Sequence, residues 1–184
     1  MHIMLDLETM GTSSSSAIAA IGAVIFDYRN VYVEQKFYRV IDLRTSLGNI
    51  EADTVLWWLQ QSDDVRTQLT RNQFKFIDTL LDFKLFVDAI RSRDKEKKVC
   101  MWGNGADFDN VILDNAYKRI EQQTPWRYSE NRCYRTMKNI FSFIPVVAYS
   151  DAFVSHRADH DAINQAYHMT KILSYLHDIT IEEP

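Results

Sequence analysis

Two carboxylates stand two residues apart near the start of the chain, Asp6 and Glu8 in "MHIMLDLETMGT". Ile3, Leu5 and Leu7 around them make the segment read as a core strand. On a strand, Asp6 and Glu8 share one face about 7 Å apart, and Leu5 and Leu7 take the other. Like charges in a half-buried place repel and resist desolvation. No Lys or Arg lies nearby in sequence. A divalent ion is the natural counter-charge, and oxygen ligands suit magnesium or manganese. The alternative is an edge strand whose carboxylates both face water. A second acidic stretch, "WGNGADFDNVIL", ends a strand in glycines and opens a helix. Its Asp107 suits a helix cap, and Asp109, at most one turn in, can face the end of the first strand. Both could equally be N-terminal helix acids favoured by the dipole, and spacing alone does not choose. The third stretch is "SHRADHDAINQA". Five residues on a helix is about 140° of rotation, so His156 and Asp161 converge only if the helix starts after His156. His156 and His160 also form an i, i+4 pair of the kind that binds zinc, but H-E-x-x-H is absent and no third ligand suggests itself. His2, His168 and His177 read as structural or solvated.

These residues need elements to hold them. Three strands come first, roughly His2–Glu8, Ala17–Phe26 and Val31–Ile41, with "DYRN" as the hairpin turn between the second and third. The second is apolar throughout, as expected of a strand covered on both faces. Asp53 is a candidate N-cap for "DTVLWWLQQS", and Ser62 for a short helix through Val65 and Leu69. "FIDTLLDFKLFVDAIRSR" is amphipathic and ends in bases that suit the negative end of the helix dipole. "KKVCMWGNG" is a fourth strand, "NRCYR" a short fifth, and a last helix crosses "DHDAINQAYHMTKILSYLHD" with the stripe Ala162, Ala166, Met169, Leu173, Leu176. Strands followed by alternating helix and strand predict an α/β domain with a mixed sheet, whose functional residues gather at strand ends.

Composition narrows the function. The 184 residues are read as one domain; 46% are hydrophobic and 25% charged, which is ordinary for a soluble protein. A net charge of −4 disfavours a basic coat along duplex DNA but leaves room for a small nucleic-acid pocket. No apolar run approaches the ~20 residues of a membrane span, and the first strand begins too early for a signal peptide. Cys100 and Cys133 make no disulfide framework, which predicts a reducing, cytoplasmic setting.

"DLET" on the first strand, "FDNVIL" after a strand–glycine turn and "HRADHD" opening the last helix together resemble the three motifs of the DEDD exonucleases. His156 to Asp161, H-x4-D, matches the branch that carries a histidine, the DnaQ-like or DEDDh branch. The resemblance covers nearly the whole chain in order. Each motif is weak alone, and the three together are specific. Met10-Gly11 after the acid strand, "TVLWWLQQS" and the R-x-x-R-T segment Arg132–Thr136 are similar to the phage exonuclease A and prophage exonuclease VIII-like group. In this family the second-motif acid follows a phenylalanine, which selects Asp109 after Phe108 and leaves Asp107 as a cap.

The resemblance implies a ribonuclease H-like fold with a mixed five-stranded sheet and flanking helices. It implies that Asp6, Glu8, Asp109 and Asp161 hold two divalent ions, Mg2+ or Mn2+, of the kind that clamp an in-line displacement at phosphorus. His156 would be the general base. The activity implied is 3′→5′ hydrolysis of single-stranded DNA or RNA to nucleoside 5′-monophosphates. Thr9, Met10, Gly11, Trp58 and Arg135 are the candidate substrate contacts, with Met10 and Trp58 as stacking surfaces and core packing as the competing role for Trp57 and Trp58. Competing readings are an RNA-trimming exoribonuclease of the RNase T or oligoribonuclease kind, a non-catalytic nucleic-acid-binding module, and an RNase H-type endonuclease. Relatives are often homodimers.

Overall fold

The computed structural model describes residues 1–93, 98–146, 148 and 150–182, with side chains to 179. Its six strands are β1 (His2–Thr9), β2 (Ile18–Phe26), β3 (Val31–Ile41), β4 (Gln73–Phe74), β5 (Cys100–Gly103) and β6 (Asn131–Cys133). Its six helices are α1 (Ala52–Leu59), α2 (Asp63–Gln68), α3 (Phe76–Arg93), α4 (Asp109–Arg119), α5 (Tyr134–Ile140) and α6 (Ala158–Glu182). The strands form one mixed sheet in the order β4-β3-β2-β1-β5-β6. β1, β2 and β3 are antiparallel neighbours, and β4, β5 and β6 each add in parallel. The sheet therefore has six strands instead of the expected five. The extra one, β4, is only two residues long, too short for alternation to reveal it. Lys97, in the segment read as the start of the fourth strand, lies outside the described residues, and that strand begins at Cys100.

Period-two alternation in β1 sorts its side chains between two layers. Ile3, Leu5 and Leu7 pack with Leu80, Phe83 and Val87 of α3 and with Ile112 and Leu113 of α4. Met4 points the other way, into a layer with Val24, Phe26 and the α6 residues Ala162, Ala166 and Met169. Asp6 and Glu8 lie on that second face, beneath the start of α6. All nine residues of β2 are buried, as a strand covered on both faces requires. Each fully buried Leu, Ile or Phe contributes about 1.5–3 kcal/mol, which is how the sheet tolerates acids in its middle. The "DYRN" turn closes as expected: the Asp27 N–H donates to the Asn30 carbonyl, and Asp27 Oδ1 accepts from the N–H groups of Arg29 and Asn30.

Two expected caps are corrected. Ser62 does cap α2, its Oγ accepting from the Val65 N–H. Asp53 does not cap α1; the cap position is Glu51, and Asp53 sits in the first turn. The Glu51 carboxylate is occupied elsewhere, accepting from the N–H groups of Thr12 and Ser13. Four such donors and hydroxyls hold it ionised, with its pKa lowered to about 2. Asp107 does not cap α4 either, because the helix starts two residues later with Phe108 at the cap position. Among the described residues, no helix is long and apolar enough to cross a membrane.

Candidate active site

The end of β1 and the start of α6 meet at Gly22. Its register partner on β1 is Asp6. A Cβ at Gly22 would come within 2.1 Å of the Ala158 carbonyl carbon. Only glycine lets the first turn of α6 sit directly on the sheet, and that approach carries Asp161 to the acids of β1. Carboxylate oxygens of Asp6, Glu8 and Asp161 then lie within 4.8 Å of one another.

Asp109 does not join that group of three. It is 3% exposed, and its Oδ1 accepts from the Leu7 N–H at 3.2 Å. β5 pairs with β1 only through His2, Ile3 and Met4. Beyond Met4 the two strands part, and the Leu7 donor is free to hold an acid from α4. Arg135 is exposed, and its Nη2 donates to the Asn104 carbonyl at 2.5 Å. Its charge favours the ionised form of Asp109.

His156 precedes α6 on a loop, with φ of +60°, a conformation that costs a non-glycine residue about 1 kcal/mol or more. This left-handed residue lets its backbone N–H bond the Asp161 carboxylate. The imidazole stands edge-on to the Trp57 ring, with centroids 4.9 Å apart at 89°, and 6.5 Å from that of Trp58. His160 turns elsewhere: its Nδ1 accepts from the Val154 N–H. The zinc pair is therefore not assembled. Among the described residues, Asp6, Glu8 and Asp161 are the group whose ligand atoms lie close enough together to hold a metal ion. His2, His168 and His177 are all packed against rings, and His168 bridges the Tyr134 hydroxyl and the Ile144 carbonyl.

A cavity of about 550 Å³ opens beside Glu8, walled by Thr9, Gly11, Trp57, Trp58 and Phe108. The two indoles divide the work there. Trp58 is 6% exposed, packs with Met10, and donates its Nε1–H to the Thr9 carbonyl at 2.9 Å. Trp57 is 40% exposed. Of the two surfaces singled out from sequence, Met10 and Trp58, both are core, and the open indole face is that of Trp57. Adjacent helical positions cannot both face the sheet, and the one whose N–H finds a buried carbonyl goes in.

Gln165 had no place in the sequence reading. It lies one turn beyond Asp161 on α6, is 8% exposed, and donates its Nε2–H to Asp6 Oδ1 at 2.7 Å. The i, i+4 spacing from Asp161 was the available signal.

Burial and mutual repulsion dominate the electrostatics. Burial first, then the charges of Asp161 and Asp109, push Glu8 up to about 8. Burial raises Asp109 to about 7 against the pull of its hydrogen bonds. Asp6 is raised by burial and by Glu8, Asp109 and Asp161, and Asp161 is raised by burial. Glu8 Oε1 is buried with no hydrogen-bond partner among the described residues. Oxygen donors this close, one of them orphaned, fit a hard divalent cation.

This arrangement predicts how the metal-free protein responds to pH. Unfolded carboxyls titrate near 4. Raised folded values mean the native state holds more protons, so stability falls as pH rises through about 7 and 8. Melting in EDTA should drop by several degrees between pH 7 and pH 8.5, since each kcal/mol shifts a domain of this size by about 2–4 °C. Added Mn2+ should raise the melting temperature most at pH 8.5, and Glu8→Gln should flatten the slope. Calorimetry showing equal melting at both pH values in EDTA would contradict it.

A family model described as the 3'-5' exoribonuclease Rv2179c-like domain matches residues 1–177. The chain belongs to that family. It is a 3′-5′ exonuclease. An exodeoxyribonuclease of Enterobacteria phage T4 is 23% identical to this Rv2179c-like chain over 214 residues, covering 98% of the chain and 93% of the phage protein. The nuclease domain of 3'hExo, a DEDDh family member bound to rAMP, superposes with a TM-score of 0.58 at 12% identity, over 95% of this chain and 92% of that one. Pop2p of S. pombe in its Mg2+- and Mn2+-bound form gives 0.51 at 14% identity, over 96% and 84%. These likenesses establish the ribonuclease H-like fold, and the carboxylate cluster of the Rv2179c-like chain is of the kind that binds divalent metal.

Proposed function

We propose that the chain, as one exonuclease domain, removes nucleoside 5′-monophosphates from the 3′ end of single-stranded nucleic acid. The observation that carries this is the convergence of Asp6, Glu8 and Asp161 within 4.8 Å beside a cavity large enough for a nucleotide. Asp6, Glu8, Asp109 and Asp161 would hold two divalent ions, Mg2+ or Mn2+. When bound, such ions supply a water of lowered pKa and offset charge on the scissile phosphate and the leaving 3′ oxygen. His156 accepts the attacking water's proton as general base. Asp161 keeps His156 in place through its backbone N–H, and Gln165 keeps Asp6 turned toward the cluster. The terminal nucleotide stacks on the open face of Trp57, with Thr9 and Gly11 along the cavity wall and Met10 and Trp58 beneath. Because the Trp57 ring touches the imidazole edge, a stacked nucleotide also restrains the base. Arg135 balances the charge of Asp109 and, with Nη2 held by the Asn104 carbonyl, offers its other guanidinium donors to a phosphate.

Single-stranded DNA is the favoured substrate. Met10-Gly11, "TVLWWLQQS" and the likeness to the T4 exodeoxyribonuclease support a phage-like affiliation. RNA is the alternative, and the exoribonuclease description of the family favours it. Matched 5′-labelled DNA and RNA oligomers, with Mg2+ or EDTA, decide both questions. A ladder shortening from the 3′ end in Mg2+ alone is the expected result. Internal cuts, or binding with no release of mononucleotide, would refute the reading.

A further inference from the structure

A second cavity lies beside the acids and belongs to no part of the site described so far. Its volume is about 460 Å³, within the range that holds a nucleotide. Tyr38 and Val40 of β3 form its floor, and Thr67, Arg71, Asn72 and Arg157 stand around it. Strand register fixes where it sits. Asp6 pairs with Gly22 and Gly22 with Tyr38, and Glu8 pairs with Ala20 and Ala20 with Val40. Residues directly opposite on neighbouring strands share a face, so Tyr38 and Val40 look out of the same side of the sheet as the two acids. Two strand spacings separate them, about 10 Å. The start of α6 stands between, and Arg157 directly follows His156. One loop therefore borders both places.

The cavity's charge is unlike that of the chain as a whole. The protein carries a net charge of −4, yet two arginines line this cavity. Arg157 lies over the Tyr38 ring at 4.9 Å. Its Nε and Nη2 are held by the buried Asp159, at 2.7 and 3.4 Å, which leaves one edge of the fork uncommitted. Arg71 is exposed and makes no hydrogen bond or ion pair among the described residues. Asp64 is the one carboxylate among the residues that line the cavity, and it too is exposed. Guanidinium forks, a ring and side-chain amides are the chemistry that receives a phosphodiester and its base.

We propose that this cavity is a subsite for the strand upstream of the penultimate nucleotide, with the phosphate on the 5′ side of that nucleotide held between Arg71 and Arg157. The proposal rests on the exonuclease reading above. It explains how an acidic protein keeps hold of a strand whose 3′ end faces four carboxylates.

The test varies substrate length. The p-nitrophenyl ester of thymidine 5′-monophosphate and a dinucleotide are too short to reach the cavity, and a decanucleotide spans it. Wild type, Arg71→Ala and Arg71→Glu would be compared in Mg2+. Arg71 is exposed, and unchanged melting would verify that both variants fold. Arg71→Ala should raise KM for the decanucleotide about five- to tenfold, the size of one partly exposed charge-assisted hydrogen bond. Arg71→Glu should raise it further, and both effects should shrink as salt is added. Turnover of the ester and the dinucleotide should stay at the wild-type level. An equal KM change on short and long substrates, or none on either, overturns the subsite while leaving the exonuclease reading intact. Wild-type protein that releases no nucleotide from any substrate overturns that reading, and the subsite falls with it.

Discussion

Asp6→Asn is expected to abolish nucleotide release while making the metal-free protein more stable. The two effects have one cause. Asp6 shares a space of 4.8 Å with Glu8 and Asp161 and is held there by Gln165. As a carboxylate it repels Glu8, Asp109 and Asp161. Asparagine keeps the shape, and its amide oxygen still accepts from Gln165 Nε2, so the fold has no reason to change. It removes one charge from a site where burial already penalises charge, so melting in EDTA at pH 8.5 should rise. Activity moves the other way. Metal charge stabilisation at a phosphoryl transition state is worth several kcal/mol. At about 1.4 kcal/mol for each factor of ten, the loss is on the order of 10³–10⁴-fold or more. Asp161→Asn should behave alike, because its amide oxygen still accepts from the His156 N–H. The checks are single-turnover release of mononucleotide in Mg2+ and calorimetry in EDTA. A variant that is inactive because it has unfolded, or one that is stable and active, would remove these acids from the proposed site.

His156→Ala should lower kcat by about 10²–10⁴-fold, the usual share of a general base, with little change in KM for an oligonucleotide. Its carboxylate neighbours are untouched, so Mn2+ binding followed by calorimetric titration should be near normal. That separates it from the aspartate variants, which lose the metal. The backbone offers a second handle. His156 sits at φ +60°, where glycine is at ease and alanine is not. His156→Gly should therefore melt above His156→Ala while being equally inactive. Added imidazole should restore part of the rate in either variant, since both vacate the space beside Trp57. Near-normal kcat in His156→Ala, or a loss of Mn2+ binding with it, would end the assignment of this histidine as the base.

The first three strands and the shared face of Asp6 and Glu8 were readable in the chain, because local patterns record them, whereas β4 was too short to show and α5 opens at Tyr134, inside the segment read as the fifth strand. Alternation in "MHIMLDLETMGT" put Leu5 and Leu7 on one side of β1 and both acids on the other, and the tertiary structure keeps that division. β3 runs from Val31 to Ile41 as its pattern indicated. Helical rotation required His156 to lie before the last helix, and α6 begins at Ala158. Spacing could not choose between Asp107 and Asp109. The deciding contact is the Leu7 N–H, which is free only because β5 leaves β1 after three residues. Nothing local announces where two strands more than ninety residues apart stop pairing. The same holds for Trp57 and Trp58: they are equal in sequence, and a carbonyl of Thr9, from a different element, draws one of them inside. Gln165 meets Asp6 across 159 residues. Gly22, unremarkable in an apolar run, is where α6 rests on the sheet. Periodicity by itself determined which side chains point together along each element. Which elements touch, and hence which acid is held, which indole is open and what orients Asp6, was decided by non-local packing and hydrogen bonds that exist only once the sheet and α6 have closed on each other.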